Sequence, residues 1–517
     1  MVLCAAMACA LVGGTQSAFG QTPLAIANDI QTYTTLASTT VTMTGRSELR
    51  ITGATAPITG STINLNSTDS WFLMTSILPS VVNSTYLSQI RVNGAAAAVN
   101  TNCRIVQYGD GTVVIPHAST FTPMQVFTGK RFTGTSMSLT NYTAYTDSNL
   151  GVYANNISSF KLKRGYTATV AQNTDGTGVS TNYVAQDGDI EVSVLPDALN
   201  DSISFIRVFP WRWVNKKGMA GNISSGLNVR WDYNWNIDRN STLDIEYVPI
   251  RQQRWWPSLG QDWNTRGANH LLGYNEPDQA AQANLLVGDA IWSWPDLLGT
   301  GLRVGSPAPS DGGLSWLYSF TDAADAANLR VDFVAVHYYR SYSSASDPVG
   351  ATTQFYNFLK GVYDRVKRPL WVTEWNNGAN WTTGPDPTAT QQAATIAKMT
   401  EMLDNTSFVE RYSLYNWVED VRRVKWDDGS LTEAGVVYRD KVSPLSYSQV
   451  IPEVPTDSSA LYRFEGDARD SSASGHAAIL KGAAKFATGK VGQAVQLNAT
   501  AGTSDYVQLS SRLGDST

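Results

Sequence analysis

The chain has 517 residues, a length that predicts roughly three or four domains. Its net charge of −6 and pI of about 5.4 argue against a nucleic-acid partner. Of its three cysteines, two lie within the first ten residues, so we expect no intrachain disulfide framework, and the four histidines include no His-Glu-x-x-His arrangement of a catalytic metal. We therefore expect catalysis to need no cofactor.

The first twenty residues are typical of an export signal. Residues 1–14 are apolar and small, and Ala18-Phe19-Gly20 has the form of a signal-peptidase site. No other segment approaches the ~20 apolar residues of a membrane span. We predict a signal peptide over 1–20, a secreted or cell-surface protein, and no membrane partner.

Residues 21–122 predict a β-rich domain of unknown role. Thr, Ser, Ala and Asn dominate the segment, and Gly and Asn turns separate short alternating runs. The predicted strands are Thr40–Met43, Glu48–Ile51, Ile63–Leu65 and Val113–Ile115. A β-sandwich and a short β-solenoid both fit this pattern.

Residues 123–209 predict further strands with one recognisable motif. Phe127-x-x-x-x-Phe132-x-Gly134 places two aromatic residues before a glycine that can adopt positive φ. The motif resembles the Greek-key signature of the βγ-crystallins. That resemblance implies structural calcium, held by oxygen ligands in two loops, although Ala154 and Phe205 depart from the calcium pattern and Asn and Ser could equally satisfy turns. The candidate ligands are Asn155, Asn156, Ser158, Asn200, Asp201 and Ser204.

Residues 210–447 alternate apolar strands with helix-length patterns, which predicts a parallel sheet. The predicted strands are Asn228–Asn234, Asp244–Ile250, Leu271–Asn275, Arg303–Pro307, Phe333–Tyr339, Leu370–Trp375 and Arg411–Trp417. The predicted helices are Gln279–Asp289, Ala351–Val366 and Thr388–Leu403. The first two strands are too close for a full crossover helix, so we predict a shortened (β/α)8 TIM-type barrel.

Two glutamates end strands of this predicted barrel. Glu276 follows Leu271–Asn275 and precedes Pro277, which cannot donate a ladder hydrogen bond, and Glu374 closes a second apolar run. Because barrels carry their chemistry at the C-terminal ends of strands, we expect the two carboxylates to face each other. A retaining glycosidase needs such a pair at ~5–5.5 Å. Alone, either glutamate could equally cap a turn.

The C-terminal region predicts a linker at 448–459, which is rich in Pro, Ser and Glu. Residues 460–517 then return to β-type patterns, with Gly489-Lys-Val-Gly-Gln and Asp505-Tyr-Val-Gln-Leu. They resemble the opening strands of laminin-G-like domains. This resemblance implies a truncated β jelly roll.

Five short motifs in the predicted barrel occur in one order along the chain. They are Tyr233-Asn234-Trp235, Leu272–Asp278, Gly305–Ala308, Asp332–Tyr339 and Trp371–Trp375. Together they resemble glycoside hydrolase family 128, a clan A group of shortened barrels acting as endo-β-1,3-glucanases. The resemblance implies that Glu276 is the acid/base and Glu374 the nucleophile of a retaining mechanism.

Further residues are candidates for substrate binding. Asn275 could bond the 2-hydroxyl of a sugar, and His337 and Tyr339 share one face of their strand, from which Tyr339 could donate to Glu374. Both could equally be satisfied in the core. The other candidates are Asn234 and the strand-end indoles Trp235, Trp375 and Trp417, while Arg254-Trp255-Trp256 and Trp381 could extend the cleft.

The sequence as a whole predicts a secreted endo-β-1,3-glucanase that retains anomeric configuration and acts as a monomer on β-glucan. Two alternatives remain open: another clan A β-glycanase, and a non-catalytic carbohydrate-binding or adhesive wall protein. The crystallin-like and jelly-roll regions would suffice for the second. The intact glutamate pair favours an enzyme.

Overall fold

A computed structural model of the chain describes residues 21–118, 120–447, 462, 464, 468, 478–489, 493–497 and 505–509. The predicted signal peptide and the predicted linker lie outside these residues. The chain divides into two compact units, one of Met1–Val106 with Gly111–Ser119, the other of Gln107–Asp110 with Thr120–Thr517. None of the described helices is both long and apolar enough to cross a membrane.

The first unit is a parallel β-solenoid. Its strands are β1 (Thr22–Ala27), β2 (Ile30–Tyr33), β3 (Leu36–Ala37), β4 (Thr39–Thr44), β5 (Glu48–Ile51), β6 (Ile58–Thr59), β7 (Thr62–Leu65), β8 (Trp71–Met74), β9 (Ile90–Val92), β10 (Ala95–Ala96), β11 (Cys103–Tyr108) and β12 (Gly111–Pro116). Helix α1 (Pro79–Val81), a π-helix (Val82–Tyr86) and a 3₁₀-helix (Leu87–Gln89) lie before β9.

Parallel pairing decides between the sandwich and the solenoid. β1, β4, β7 and β9 pair in that order, as do β2, β5 and β8, so the chain returns to each sheet about once per turn. Val41 lies beside Ile63, and Ile63 lies beside Ile90, all three fully buried. The alternating apolar residues thus stack into one continuous core.

Residues 124–210 form two four-stranded antiparallel sheets. The strands are β13 (Met124–Gly129), β14 (Thr133–Leu139), β15 (Ala144–Thr146), β16 (Ser159–Leu162), β17 (Tyr166–Ala171), β18 (Ser180–Ala185), β19 (Ile190–Val192) and β20 (Phe205–Pro210). Short helices occur at Lys130–Phe132, α2 (Asp147–Leu150) and Gly151–Tyr153. The sheet orders are β14-β13-β16-β19 and β15-β20-β17-β18. The first half of the region, β13–β16, therefore contributes β15 to the second sheet, and the second half, β17–β20, contributes β19 to the first.

The aromatic motif of this region has the predicted local geometry. Phe127 and Phe132 contact edge to face with ring centroids 5.5 Å apart, and Gly134 has a φ of +76°. A Cβ on Gly134 would lie 2.3 Å from the Thr128 hydroxyl, so only glycine fits. The βγ-crystallin assignment itself stays a prediction.

Residues 217–440 contain eight parallel strands and most of the helices. The strands are β21 (Lys217–Ala220), β22 (Trp231–Tyr233), β23 (Glu246–Tyr247), β24 (His270–Leu271), β25 (Arg303–Val304), β26 (Val334–Tyr338), β27 (Leu370–Trp375) and β28 (Val409–Leu414). The helices are α3 (Trp263–Arg266), α4 (Val287–Leu298), α5 (Leu314–Ala326), α6 (Pro348–Val366), α7 (Ala389–Asn405), a 3₁₀-helix (Asp420–Arg422) and α8 (Glu433–Asp440).

Six of these strands form one sheet in the order β23-β22-β21-β28-β27-β26, and β24 and β25 form a second. Single bridges, Ile250 to Leu272 and Gly305 to Phe333, join the second sheet to the two edges of the first. With only these single bridges at the two seams, the structure is a parallel sheet of barrel order and not a complete TIM-barrel wall.

Strand β21 was not among the seven predicted strands. It begins at the second of two adjacent lysines, Lys216 and Lys217, a residue type that is rarely buried. Both are nevertheless buried. The Lys217 ammonium donates to the carbonyls of Tyr438 and Lys441, at the end of α8. Lys216 does the same for the carbonyls at the end of α7. Each lysine thus satisfies helix-end acceptors and escapes the cost of an unpaired buried charge.

The helix predicted over Gln279–Asp289 is wrong, since α4 begins only at Val287. The preceding residues have good helix propensity, but their amides are used elsewhere. The Ala283 amide donates to the Asn275 carbonyl at 3.0 Å and the Leu285 amide donates to the Pro277 carbonyl at 2.9 Å. This loop therefore folds back on the segment that carries Glu276.

The described C-terminal residues form two antiparallel pairs. β29 (Ala478–Lys481) pairs with β32 (Tyr506–Leu509), and β30 (Lys485–Thr488) pairs with β31 (Gln493–Gln496). The laminin-G-like resemblance stays a prediction.

Candidate functional site

Glu276 lies just beyond β24 in a constrained backbone conformation. Its φ is +40°, which is uncommon for a residue with a side chain. Its amide donates to the Ala308 carbonyl at 2.7 Å, and Asn275 bridges to the same residue. Backbone strain of this kind persists where surrounding contacts enforce it, most often at functional sites.

Glu374 projects from β27 among three hydrogen-bond donors. Oε1 accepts from the Tyr233 hydroxyl at 3.1 Å and from the Trp235 indole at 2.8 Å, and Oε2 accepts from the Tyr339 hydroxyl at 2.5 Å. Donors that point at a carboxylate favour its charged form. Three donors thus hold the Glu374 carboxylate in place, and Tyr339 makes the predicted contact.

His337 lies between the two glutamates. Nδ1 is 3.0 Å from Glu276 Oε1, and Nε2 is 3.7 Å from Glu374 Oε1. One oxygen of each carboxylate and one ring nitrogen all lie within 4.8 Å of one another. The structure therefore brings Glu276, His337 and Glu374 into one cluster.

The ionisable groups around this cluster respond to burial and to Glu374. Burial lowers the pKa of His337, but the charge of Glu374 and the hydrogen bond to Glu276 raise it by more, so the net shift is upward. Burial raises the pKa of Tyr233 and of Tyr339 well above the ordinary tyrosine value, and the charge of Glu374 raises it further. Both hydroxyls therefore keep their protons and act as donors.

Glu276, His337 and Glu374 are also the described residues that could together hold a metal ion. Both oxygens of Glu374, however, already accept hydrogen bonds from protein donors. A cation bound there would compete with those donors for Glu374.

Asn275 contributes an acceptor with no hydrogen-bond partner among the described residues. Its side chain is buried, Nδ2 is 3.3 Å from Gln282 Oε1, and Oδ1 is unpaired. A buried acceptor without a partner costs free energy unless a ligand satisfies it. Its position beside Glu276 suits a sugar hydroxyl.

Two exposed indoles, Trp417 and Trp381, contact residues that donate to Glu374. Trp417 is 43% exposed and lies edge to face against Trp235, with centroids 5.7 Å apart. Trp381 contacts Tyr339 at 5.1 Å, and Trp255 and Trp256 are also exposed. These are surfaces on which sugar rings could stack.

Two substrate-binding predictions need correction or qualification. The stacking role predicted for Trp375 is wrong: alternation along β27 turns it away from Glu374, and it is 0% exposed in the hydrophobic core. Asn234 lies beside Trp235, but its side chain is already bonded: Nδ2 donates to Asp238 Oδ1, and Oδ1 accepts from the Tyr247 hydroxyl. It shapes the loop that carries Trp235.

Tyr233 is the contact that sequence reasoning missed. It lies in the motif Tyr233-Asn234-Trp235, in which the sequence analysis assigned roles only to Asn234 and Trp235. Spacing could have revealed it, because Tyr233 ends β22 two residues before Trp235 and both side chains reach Glu374.

The residues predicted to hold calcium lie in two loops that pair with each other. The Asn155 amide donates to the Ile203 carbonyl and the Asp201 amide to the Ile157 carbonyl, both at 3.0 Å. Asn155 and Asp201 have matching φ values of 53° and 51°. Asn156 bonds a carbonyl of its own turn. The two loops are thus related by a local pseudo-twofold arrangement.

Side chains repeat this symmetry. Ser204 donates to Asn155 Oδ1 at 3.1 Å, and Ser158 donates to Asp201 Oδ1 at 2.9 Å. Asn200 donates to Asp201 Oδ2 at 2.8 Å. The loops concentrate oxygen atoms that calcium prefers, though these atoms already bond one another.

A family model matches the part of the chain that contains the eight parallel strands, residues 217–440, which we call the parallel section. Residues 209–438 match a family model described as "Glycosyl hydrolase catalytic core". No curated protein matches the chain. A subgroup I endo-β-1,3-glucanase of glycoside hydrolase family 128 from Amycolatopsis mediterranei, solved with laminaritriose, is 31% identical; the match covers 44% of this chain and 98% of that chain, with a TM-score of 0.39.

Two other solved structures carry the same family name. A subgroup II endo-β-1,3-glucanase from Sorangium cellulosum is 24% identical over 45% of this chain and 100% of that chain, with a TM-score of 0.38. A subgroup VII oligosaccharide-binding protein from Trichoderma gamsii is 22% identical. That match covers 44% of this chain and 93% of that chain, with a TM-score of 0.35. By its 31% identity over nearly the whole Amycolatopsis protein, this chain belongs, through its parallel section, to glycoside hydrolase family 128.

Proposed function

We propose that this protein is a secreted, retaining endo-β-1,3-glucanase, with Glu374 as nucleophile and Glu276 as acid/base in a shortened barrel. The observation that carries the proposal is the spacing of the two carboxylates, whose nearest oxygens lie within 4.8 Å. Retaining glycosidases hold their carboxyl groups ~5–5.5 Å apart, whereas inverting enzymes need ~6.5–9.5 Å to admit a water molecule.

In the first step, a Glu374 oxygen attacks the anomeric carbon of the bound sugar. The Tyr233, Trp235 and Tyr339 donors hold this carboxylate in place. The bond from the anomeric carbon to the glycosidic oxygen breaks, and Glu276 donates its proton to the departing oxygen. A covalent glycosyl-Glu374 intermediate and a shortened glucan result.

In the second step, Glu276 accepts a proton from water, whose oxygen attacks the anomeric carbon from the face the leaving group vacated. The bond to Glu374 breaks, Glu374 regains its charge, and the configuration is retained. His337 contacts both carboxylates and so keeps their spacing during the change of roles. The Asn275 Oδ1 acceptor accepts a hydrogen bond from the 2-hydroxyl of the sugar.

The substrate assignment rests on the family. The Amycolatopsis and Sorangium relatives are named endo-β-1,3-glucanases. A β-1,3-glucan is a curved chain, and the exposed indoles Trp417 and Trp381, which contact Trp235 and Tyr339, offer stacking surfaces near Glu374. None of these residues by itself distinguishes a 1,3 from a 1,4 linkage.

A panel assay tests the proposal. Reducing-sugar release should be found with laminarin- and curdlan-type glucans and be negligible with cellulose. NMR of fresh product should show the β-anomer first, because two displacements restore the configuration. α-Anomer appearing first would overturn the retaining mechanism.

The same panel separates the alternatives. Preferential cleavage of a β-1,4-glucan or mannan would keep the two glutamates and replace the substrate, leaving another clan A β-glycanase. Binding of glucan without any turnover would make the chain a carbohydrate-binding protein, the description given for the Trichoderma relative.

A further inference from the structure

A buried arginine, Arg422, lies in the loop that follows β28 and has no part in the two steps of the proposed reaction. It ends the 3₁₀-helix Asp420–Arg422 and is 1% exposed. Its guanidinium forms ion pairs with Asp386, at 2.8 Å, and with Glu419. Glu419 belongs to the same loop, whereas Asp386 belongs to the loop between β27 and α7. The buried charge is thus compensated, and one of its partners lies in a second loop.

The guanidinium connects the loop after β28 to both ends of the loop after β27. Arg422 Nε donates to the Asn377 carbonyl at 2.7 Å, near the start of that second loop. Nη2 donates to the Pro385 carbonyl at 3.2 Å and Nη1 donates to Asp386 Oδ1 at 2.8 Å, near its end. The donors of a guanidinium diverge in one plane, so a single side chain reaches both ends. The compact ammonium of a lysine offers no such fork.

Buried amides extend this connection to the strand of the nucleophile. The Arg422 carbonyl accepts from Asn376 Nδ2 and from Gln392 Nε2, both at 3.2 Å. Asn376 Nδ2 also donates to the Tyr415 carbonyl at 2.8 Å, and its Oδ1 accepts from Gln392 Nε2 at 2.9 Å. Asn376 and Gln392 are both fully buried. Because Asn376 is the second residue after Glu374, these bonds fix the backbone that leaves the nucleophile.

The two loops meet against Tyr339, whose hydroxyl donates to Glu374. Ala379 from the loop after β27 and Val418 from the loop after β28 pack with Tyr339 in one small buried cluster. The ring of Trp381, also from the loop after β27, contacts the Tyr339 ring with centroids 5.1 Å apart. The position of the Tyr339 ring therefore depends on both loops.

We propose that Arg422 is a positioning residue: by holding the two loops together, it keeps the Tyr339 hydroxyl aimed at the nucleophile Glu374. Arg422 acts through the loops and not by contact with the substrate. The inference rests on the proposed function and deepens it. A catalytic arrangement must be held within ~0.5 Å of its productive geometry, so loosening the loops should slow the chemical step.

Arg422→Lys tests the inference, because it keeps the charge and removes the planar fork. On laminarin, kcat should fall by about tenfold while KM stays within about threefold of the native value, since the lost alignment acts in the transition state more than in the bound substrate. Urea unfolding checks that the variant is folded. A raised KM with native kcat would mean that the loops serve sugar binding alone, and would overturn the positioning role.

Arg330→Lys is the matched control. Arg330 is also buried, pairs with Asp332 and donates to the Leu302 carbonyl at 3.0 Å. It precedes β26, whereas Tyr339 follows that strand. Arg330→Lys should therefore lower the free energy of unfolding and leave kcat near native. An equal fall in kcat in the two lysine variants would assign the effect to general destabilisation and overturn the inference.

A double-mutant cycle with Tyr339→Phe gives a readout that a purely structural role would not produce. If Arg422 acts through the Tyr339 hydroxyl, Arg422→Lys should change kcat by less than about twofold once that hydroxyl is absent. Asp386→Asn alters an exposed partner of Arg422 and so disturbs folding least. It should lower kcat by a smaller factor, with the same dependence on Tyr339.

Losses that multiply in both double variants would overturn the positioning role while leaving the proposed function intact. A native chain that releases no sugar from any β-glucan would overturn both. Measuring native turnover first thus distinguishes failure of the proposed function from failure of the role of Arg422.

Discussion

The parallel section holds two clusters made of the same residue types in opposite electrostatic settings. Glu276 lies beyond β24, and His337 and Glu374 lie near the C-terminal ends of β26 and β27, whereas Glu246, His270 and Glu410 lie at or near the N-terminal ends of β23, β24 and β28. The inner cluster includes two arginines: Arg303 pairs with Glu410 through two contacts, at 2.5 and 2.8 Å, and Arg411 pairs with Glu246 at 2.9 Å. The outer cluster has no arginine or lysine partner among the described residues.

The histidines record this difference. Burial lowers the pKa of His270 to about 4, and the charge of Arg411 lowers it as well. The pKa of His337 is raised, because the two glutamates outweigh its burial. Ion pairs with Arg303 and Arg411 thus give the inner carboxylates a structural role. The outer pair has neutral hydroxyl and indole donors instead, which suits proton transfer and bond formation.

The largest effect is expected from Glu374→Gln. Loss of the nucleophile should lower kcat on laminarin by roughly four orders of magnitude or more, while gluco-oligosaccharide binding and the free energy of unfolding change little. Initial rates, calorimetry and urea unfolding measure the three quantities. A variant that retains a tenth of the native rate would remove Glu374 from the mechanism.

The matched change in the inner cluster should act on stability. Glu410→Gln leaves Arg303 buried without its charge partner and should cost about 3–5 kcal/mol in the free energy of unfolding. Replacing both, as Arg303→Met with Glu410→Leu, should recover much of that loss. If Glu410→Gln abolished turnover without destabilising the protein, the division between the two clusters would be wrong.

Acid should separate the clusters next. His270 has a folded pKa of about 4, below the unfolded 6.5, so the unfolded chain takes up the proton first as pH falls. Its contribution is fully present above pH 6.5 and lost toward pH 4, up to ~3 kcal/mol. The pH dependence from His337 has the opposite sign. Because its folded pKa is raised, its contribution to the free energy of unfolding is fully present below pH 6.5 and is lost as pH rises. Urea unfolding between pH 4.5 and 7.5 should lose its acid slope in His270→Gln and keep it in His337→Gln.

A smaller effect is expected at the donors to Glu374. Tyr339→Phe removes one hydrogen bond to a charged acceptor, worth about 1.5–3 kcal/mol, and should lower kcat/KM roughly 10- to 100-fold. The free energy of unfolding should change by less. Tyr412→Phe, a buried tyrosine that bonds Asp404 instead, is the control and should leave kcat/KM near native. Equal losses in both variants would assign the effect to packing.

The outer cluster was accessible from the sequence because its glutamates interrupt apolar strands in a local pattern. Asn275-Glu276-Pro277 and Glu374 each indicate the end of a strand. The contact of Tyr339 with Glu374 was predicted from the alternation of side chains along its strand. The inner cluster was not, because its charges pair across strands: Glu246, Arg303 and Glu410 lie far apart in sequence. Strand β21 was missed for the same reason, since the carbonyls that satisfy Lys217 belong to a helix more than 200 residues later.

Fold predictions followed the same division between local and long-range information. The four strands predicted before residue 122 each overlap an observed strand, but their parallel stacking depends on contacts between turns of the solenoid. Trp375 was assigned to the wrong face because a strand end can present either neighbour to the site. Local periodicity sets the elements, and the partner across the sheet decides which side chain meets substrate.

The smallest effect concerns the paired loops of Asn155 and Asp201, a third oxygen cluster, in which Asp201 forms no ion pair with an arginine or lysine of the part of the chain that the structure describes. Their matching backbone geometry brings carbonyl, amide and carboxylate oxygens together, as a calcium site requires. Calcium at ten times its Kd would add about 1.4 kcal/mol to the free energy of unfolding, because ligand binds only the folded loops. A thermal scan should therefore show a higher midpoint in calcium than in chelator, and Asp201→Ala should remove the difference. The Ser158 and Ser204 hydroxyls already satisfy Asp201 and Asn155, so an unchanged midpoint at millimolar calcium would show that the loops hold each other without an ion.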